Sequence, residues 1–399
     1  MVHELESKAI GECNGFSPED ELLLLLARGR LGTEVEDRAR SLLEHGLPWS
    51  GIVRRAWEQD VFPLLYRNLR RLGFPAVPPE VQTELEAAYR INALRNTLLA
   101  EELVRVLTLL HGAGVPVIPL KGVALAEALY GDLTLRFCVD IDILVPRQMV
   151  AQSLRLLLAS GYRAEFTEQF FADLLLQKDI EYALEREEPG HSYMLELHWG
   201  LLWGLPFDGD AAEELWAEAR PQPFGGAPAY ALSPEWQLLF LAAHVSRHQW
   251  RGLKWLVDIH ELCSQGEIDW QKLGAKARRL GWEDLLRITL SACRSLFSTP
   301  IPEAFSLPQL PPWVKLFPAP PAPLWQSFLL PLRLLKRPSD KLRYLRRALL
   351  WPTLAEWRLL RLPSPLGFLY YPLRPLRLGG KWGWRLICVG LQRLRNART

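Results

Sequence analysis

The chain has 399 residues, 49% hydrophobic and 23% charged, with 47 Lys/Arg against 45 Asp/Glu and a formal net charge of +2, a composition that excludes a disordered chain and leaves room for two or three domains. The near-neutral total hides a split: residues 311–399 hold 17 Lys/Arg against only Asp340 and Glu356, while residues 1–310 hold 30 Lys/Arg against 43 Asp/Glu. No uncharged apolar run is long enough for a simple spanning helix, and a start carrying Glu4, Glu6 and Glu12 is not expected to be a secretory signal.

In chain order, Ser17-Pro18-Glu19-Asp20 predicts a helix start, with a serine cap, proline at the first helical position and acids in the first turn. Apolar positions recur at helical spacing over Leu22–Ala27, Ala39–Leu43 and Ile52–Leu69, and again from Val81 to Leu110 after Pro75, Pro78 and Pro79. The texture changes at Val115. Val115–Leu120 reads as a buried strand, Lys121-Gly122 as a turn and Val123–Tyr130 as a short helix. Phe137–Val145 reads as a second strand, Gln148–Ser160 as a helix and Tyr162–Phe166 as a third strand. Ile180–Arg186 and Ser192–Trp199 flank Glu187-Glu188-Pro189-Gly190 as a hairpin. Helices are then expected over Asp210–Ala219, Ser233–His248, Leu253–Gln265, Trp270–Arg279 and Trp282–Phe297. From Pro300 to Pro375 lie 16 of the 31 prolines, which break a basic tail into short pieces. The five cysteines, at 13, 138, 263, 293 and 388, form no CxxC pair and are expected as free thiols of a cytoplasmic protein.

The chemistry concentrates in Asp140-Ile141-Asp142-Ile143-Leu144-Val145. Strand side chains alternate, so Asp140 and Asp142 share one face while Ile141, Ile143 and Val145 take the other. Two carboxylates side by side repel unless a cation sits between them, and Mg²⁺ suits oxygen ligands and phosphates. Glu196, in Met194-Leu195-Glu196-Leu197-His198, is the candidate third acid. The bland alternative is a strand ending in solvent. Leu120-Lys121-Gly122 offers a close backbone approach and a cationic side chain for phosphate, or simply a turn glycine beside a lysine. Arg136 stabilises a triphosphate or pairs with a carboxylate. His244 and His248 share a helix face, with nucleotide contact and interior packing both open, and Asp258 is expected to hold one of these histidines or an arginine.

The ordered set of strand, Leu120-Lys121-Gly122, Leu129-Tyr130, Arg136, Asp140–Val145, Glu196-Leu197-His198-Trp199 and His244…His248…Trp250…Trp255-Leu256-Val257-Asp258 resembles the bacterial uncharacterised nucleotidyltransferase family over about residues 50–300. More distantly it resembles the polymerase-beta-like nucleotidyltransferase superfamily. Val123 stands where that superfamily's turn usually has a serine. The resemblance implies an α+β fold, with a small mixed-sheet core over 113–205. An N-terminal helical region (1–112), a bundle that completes the cleft (206–299) and a Pro/Arg-rich basic helical tail (300–399) would flank it. It also implies a transferase moving NMP from a nucleoside triphosphate to a hydroxyl or similar group on a small molecule, peptide or protein. Two Mg²⁺ would be held by Asp140, Asp142 and Glu196, which are also the implied catalytic residues. Lys121, Gly122, Arg136, His198, His244 and His248 would bind the nucleotide. A catalytically inactive binding or regulatory module of the same fold is the alternative. For residues 311–399, contact with a protein or with an anionic membrane is open, and nucleic acid is not expected.

Overall fold

A computed structural model describes residues 16–164, 181–201, 207–319 and 324–380. Contacts divide the chain into two units: Met1–Glu165 with Asp179–Leu330, and Phe166–Lys178 with Pro331–Thr399. Residues 300–330 therefore belong to the larger unit, although their composition groups with the tail.

The larger unit begins with five helices, α1 (Pro18–Leu26), α2 (Thr33–Leu43), α3 (Trp49–Glu58), α4 (Phe62–Leu72) and α5 (Pro79–Gly112). Ser17 caps α1 by accepting from Asp20 N at 3.3 Å. The apolar pattern over Ile52–Leu69 is divided between α3 and α4 because the chain turns at Asp60, whose φ is +56°. Helix α5 runs for 34 residues. Its fully buried Asn92 and Asn96 donate to the backbone carbonyls of Thr134 and Arg136, at 2.8 and 2.7 Å respectively, and so clamp the segment that enters the sheet.

After α5 come β1 (Ile118–Pro119), α6 (Gly122–Tyr130), β2 (Ile141–Leu144), α7 (Val150–Ala159), β3 (Arg163–Ala164), β4 (Glu181–Glu188) and β5 (His191–His198). The sheet order is β1-β2-β5-β4-β3, with β2 and β5 parallel and the other pairs antiparallel. The fold is therefore α+β with a mixed sheet, as expected. Two strands are shorter than their sequence pattern. The Val115–Leu120 strand reduces to Ile118–Pro119, since Pro116 and Pro119 have no N–H to give a ladder. The Phe137–Val145 strand reduces to Ile141–Leu144, because residues 137–140 are held by side chains rather than by a neighbouring strand: Lys254 Nζ donates to the Phe137 carbonyl at 3.4 Å. Ile180 and Phe166, at the ends of two predicted strands, lie outside the described residues. On one face of the sheet Ile141, Ile143, Leu195 and Leu197 are buried, each stabilising the fold by ~1.5–3 kcal/mol relative to exposure.

The remainder of this unit is α8 (Gly209–Glu218), a small hairpin of β6 (Arg220–Pro221) and β7 (Tyr230–Ala231), and a bundle of α9 (Pro234–Arg247), α10 (Leu253–Ser264), α11 (Trp270–Leu280) and α12 (Glu283–Phe297). Trp236, Trp250 and Trp282 are fully buried in it, and the Trp250 indole N–H donates to Thr289 Oγ1 at 2.7 Å. The bundle is tied to the sheet by a buried ion pair. Arg136, at the entrance to β2, donates through Nε to Asp258 Oδ2 at 3.0 Å and places a second nitrogen 3.0 Å from the same oxygen, while the Tyr130 hydroxyl donates to Asp258 Oδ1 at 2.9 Å.

Helix α13 (Leu324–Leu334) spans the boundary at Leu330, and the described part of the smaller unit goes on with α14 (Pro338–Leu350), α15 (Leu354–Leu359), a 3₁₀ turn over Ser364–Leu369 and a helical segment over 370–380. Its centre is polar. Glu356 is fully buried, closes a capping box with Thr353, and is bound by Arg374 and Arg377. The predicted tail segment Trp384–Leu394, with Cys13 and Cys388, lies outside the described residues. Cys138, Cys263 and Cys293 are buried free thiols.

Removing Asp258 would strand the Arg136 guanidinium in a dry interior, so Asp258→Ala is expected to lower stability by about 3–5 kcal/mol in urea denaturation. A loss below about 1 kcal/mol would mean that water or another acceptor already serves Arg136.

Candidate active site

The parallel ladder between β2 and β5 sets Asp142 opposite Glu196 and Leu144 opposite His198. Alternation then puts Asp142, Glu196 and His198 on one face, away from the buried Ile141, Ile143, Leu195 and Leu197. In the antiparallel neighbour β4, Glu181 stands opposite His198 and shares that face. Asp140 precedes the strand and joins the group through Lys121, whose Nζ is 3.0 Å from Asp140 Oδ2 and 2.9 Å from Asp142 Oδ2.

Lys121 and Gly122 reach this position because of the turn between β1 and α6. Gly122 has φ +69°, and a Cβ there would lie 3.2 Å from the Asp140 carbonyl oxygen. Glycine is thus required both by conformation and by the approach of the two backbones. The first turn of α6 has no side-chain cap, so its N–H groups stay available to an acceptor.

Charges alternate across the site. His198 Nε2 is 3.2 Å from Asp142 Oδ1 and 3.4 Å from Glu196 Oε2, and its Nδ1 is 3.6 Å from Glu181 Oε2. Burial works against the imidazolium, but hydrogen bonds to Asp142 and Glu196 outweigh it and push His198 up to about 9. Hydrogen bonding from His198 in turn holds Glu196 well below the usual carboxylate range. Burial raises Asp142, against the opposing pull of Lys121. Lys121 is itself desolvated, yet Asp142 and Asp140 keep it charged.

Whether these residues suit a divalent cation is tested by one atom. Asp142 Oδ2 is buried, and the Lys121 ammonium 2.9 Å away supplies its positive partner. A buried carboxylate oxygen that stays ionised only beside positive charge is suited to a divalent ion. Ligand atoms of Asp142, Glu196 and His198 lie within 4.8 Å of one another, and this is the one such group among the described residues. Two carboxylates, with Asp140 beside them, fit a hard divalent ion such as Mg²⁺, while His198 joins them as a ligand only on losing its proton. The geometric set includes His198 in place of Asp140, which sequence spacing had put beside Asp142 as a metal ligand.

Other expected site residues are placed as follows. Arg136 takes the second of its two expected roles: it is committed to Asp258 in the buried pair, and so is not placed as a phosphate contact. His244 and His248 do not join the carboxylates. Their rings are 5.1 Å apart, and His248 stacks on Trp255 with centroids 3.9 Å apart and planes 19° apart. Two successive left-handed residues, Gln249 and Trp250, make the turn after α9. Gly252 leaves room for the Trp255 indole, since a Cβ there would sit 2.2 Å from the ring. Burial, with the positive field of Arg247, Lys121 and Lys254, pushes His248 down to about 4, so its ring is neutral. Glu181 and Arg247, whose NH2 is 3.5 Å from Glu181 Oε1, were not anticipated. The alternation of β4 carried the signal for Glu181, but only the register placed it against His198.

A family model described as "uncharacterised nucleotidyltransferase" matches residues 45–298, a span that contains every residue named in this site. Among solved structures, the chain is similar to the crystal structure of an antigenic nucleotidyltransferase-like protein from Paracoccidioides brasiliensis, with 20% sequence identity and a TM-score of 0.28 over 52% of this chain and 92% of that one. No curated protein matches the chain.

Gly122→Ala combines a left-handed backbone with the contact at the Asp140 carbonyl, and is expected to cost at least about 1–2 kcal/mol. Urea denaturation measures this; an unchanged midpoint would show that the turn relaxes without help from glycine.

Proposed function

The chain belongs to the uncharacterised nucleotidyltransferase family, and on that premise we propose that it transfers NMP from a nucleoside triphosphate to a hydroxyl or similar group on a small molecule, peptide or protein. The observation that carries this reading is the register of Asp142 against Glu196, with Asp140 and Lys121 beside them. In the reaction an acceptor oxygen forms a bond to the α-phosphorus, the bond from that phosphorus to the β-phosphate bridging oxygen breaks, and pyrophosphate leaves.

Asp140, Asp142 and Glu196 would hold Mg²⁺, two ions in the full assembly, with His198 bracing Asp142 and Glu196. When bound, the metal neutralises phosphate charge and stabilises the charge that builds up during displacement. Lys121 supplies a cation for phosphate oxygens, and the uncapped first turn of α6 after Gly122 supplies N–H donors. That contact needs no hydroxyl, so Val123 is not a defect of the turn. Of Asp140, Asp142 and Glu196, Glu196 is the most accessible, with its side chain one-third exposed. His198 keeps it ionised, so it is suited to accept the hydrogen bond of an incoming hydroxyl and orient its oxygen. The neutral His248 ring, backed by Trp255, offers a flat surface on which a nucleobase stacks. His244, edge-on to Trp255 at 5.4 Å, steadies that pair.

A non-catalytic binding module is the second reading, favoured by one feature: Lys121 and His198 already counter the carboxylates without any metal. Nucleotide binding indifferent to Mg²⁺, with no pyrophosphate released to any acceptor, would favour it.

Calorimetric titration with Mg²⁺ and each nucleoside triphosphate tests the site. Asp142→Asn is expected to weaken Mg²⁺-dependent binding on the order of tenfold or more, with the fold intact by circular dichroism. Equal binding by wild type and variant would overturn the assignment. For the base, quenching of Trp255 fluorescence is expected with a nucleoside triphosphate and not with inorganic tripolyphosphate. The signal is read as the difference between wild type and Trp255→Phe. Identical quenching by both ligands would remove His248 and Trp255 from the nucleotide site while leaving the phosphate site standing.

A further inference from the structure

The smaller unit presents an unusual surface. Among the described residues, ten of the sixteen exposed large hydrophobic side chains fall between Leu342 and Leu376, and eight of those ten are leucines. Scattered single apolar residues on a surface are ordinary, but such density is not. Leu342 and Leu376 are 68% and 72% exposed, and Phe368 is 61% exposed.

Helical geometry gathers part of this set into one face. On α14 the exposed residues Leu342, Arg343, Arg346, Leu349 and Leu350 fall within an arc of about 120° at 100° per residue. The buried Tyr344 and Ala348 occupy the opposite side. Over 370–380, the exposed Tyr371, Pro372, Pro375 and Leu376 repeat the same spacing.

The described part of the unit is strongly basic. Residues 331–380 hold eleven Lys/Arg against Asp340 and Glu356. Glu356 is buried and already bound to Arg374 and Arg377, so it offers nothing to the outside. Asp340 is 3.8 Å from Arg343, too long for a tight pair, and the Arg343 side chain is 70% exposed. Leucines and arginines thus share one helix face, with no outward acid among them.

We propose that this unit binds the surface of an anionic lipid bilayer, with the exposed leucines and Phe368 entering the headgroup–acyl boundary and Arg343, Arg346 and Arg361 meeting lipid phosphates. The attachment is peripheral, since no helix among the described residues is long and apolar enough to cross a membrane. Charge and apolarity together select this partner. A nucleic acid would satisfy the arginines but would leave the leucines in water. A second copy of the chain would cover the leucines but would bring two faces of the same positive sign together. An anionic bilayer satisfies both at once, because stable anchoring needs an apolar element plus a basic patch.

Flotation of the full chain with vesicles tests this. One set is phosphatidylcholine alone; the other has about a third of its lipid replaced by phosphatidylglycerol, an anionic headgroup. The wild type is expected to float with the anionic vesicles and to bind the neutral ones at least about tenfold more weakly. Leu342→Gln/Leu349→Gln/Leu376→Gln and Arg343→Gln/Arg346→Gln are each expected to lose anionic-vesicle binding on the same order, about tenfold. Both variants alter only exposed positions, and unchanged circular dichroism and melting confirm that they fold. The vesicle comparison needs no variant at all. Failure of the wild type to float with anionic vesicles overturns the proposal, as does full binding by the leucine variant. Two further results also overturn it: single-stranded RNA bound through Arg343 and Arg346 with no contribution from the leucines, or a dimer that the leucine variant abolishes. None of these outcomes bears on the nucleotide site, which lies in the other unit.

Discussion

Everything at the candidate site follows from one ladder, the parallel pairing of Ile141–Leu144 with Leu195–His198. Because side chains alternate along a strand, this register sends Ile141, Ile143, Leu195 and Leu197 into the core and Asp142, Glu196 and His198 to the other face. A slip by one residue would bury the acids in the apolar layer and expose the leucines, at a cost of several kcal/mol for each uncompensated charge. The hydrophobic layer therefore enforces the geometry of the polar one. The fold needs no metal to hold these acids together, since Lys121 and His198 separate them with positive charge.

The second constraint lies just upstream. Residues 133–140 have no strand neighbour, and side chains from distant parts of the chain hold them instead. Asn92 and Asn96 bind the carbonyls, Asp258 binds the Arg136 side chain, and Lys254 binds the Phe137 carbonyl. Lys254 also pairs with Asp60 at 2.7 Å. The N-terminal helices, the sheet and the later bundle thus meet on the segment that delivers Asp140 and Asp142. The family match over residues 45–298 takes in this segment and the side chains that hold it, and ends before Pro331–Thr399.

That basic unit follows a different logic. A small body with its buried acid at the centre, Glu356 under Arg374 and Arg377, turns its remaining arginines and many leucines outward. Its interior holds that ion pair together with Leu334, Leu335, Tyr344, Ala348, Trp357 and Tyr370, whose hydroxyl donates to the Leu360 carbonyl at 2.9 Å.

Local sequence carried most of the helices, the hairpin at Pro189-Gly190, the α+β class and the residues around which a site could form. These are local matters: caps such as Ser17 and Ser233, turn glycines, and apolar periods of two or 3.6 residues act over a few positions. It overstated the strands over 115–120 and 137–145, because a strand's length depends on a partner and on N–H groups that Pro116 and Pro119 lack. The pairing of Arg136 came from long-range packing, since its partner Asp258 lies 122 positions away. The same holds for His198 against Asp142 and for Glu181 against His198, which no spacing within one segment could bring together. Interactions of ions in a low-dielectric interior depend on distance in space, and that distance is fixed by register and packing rather than by position along the chain.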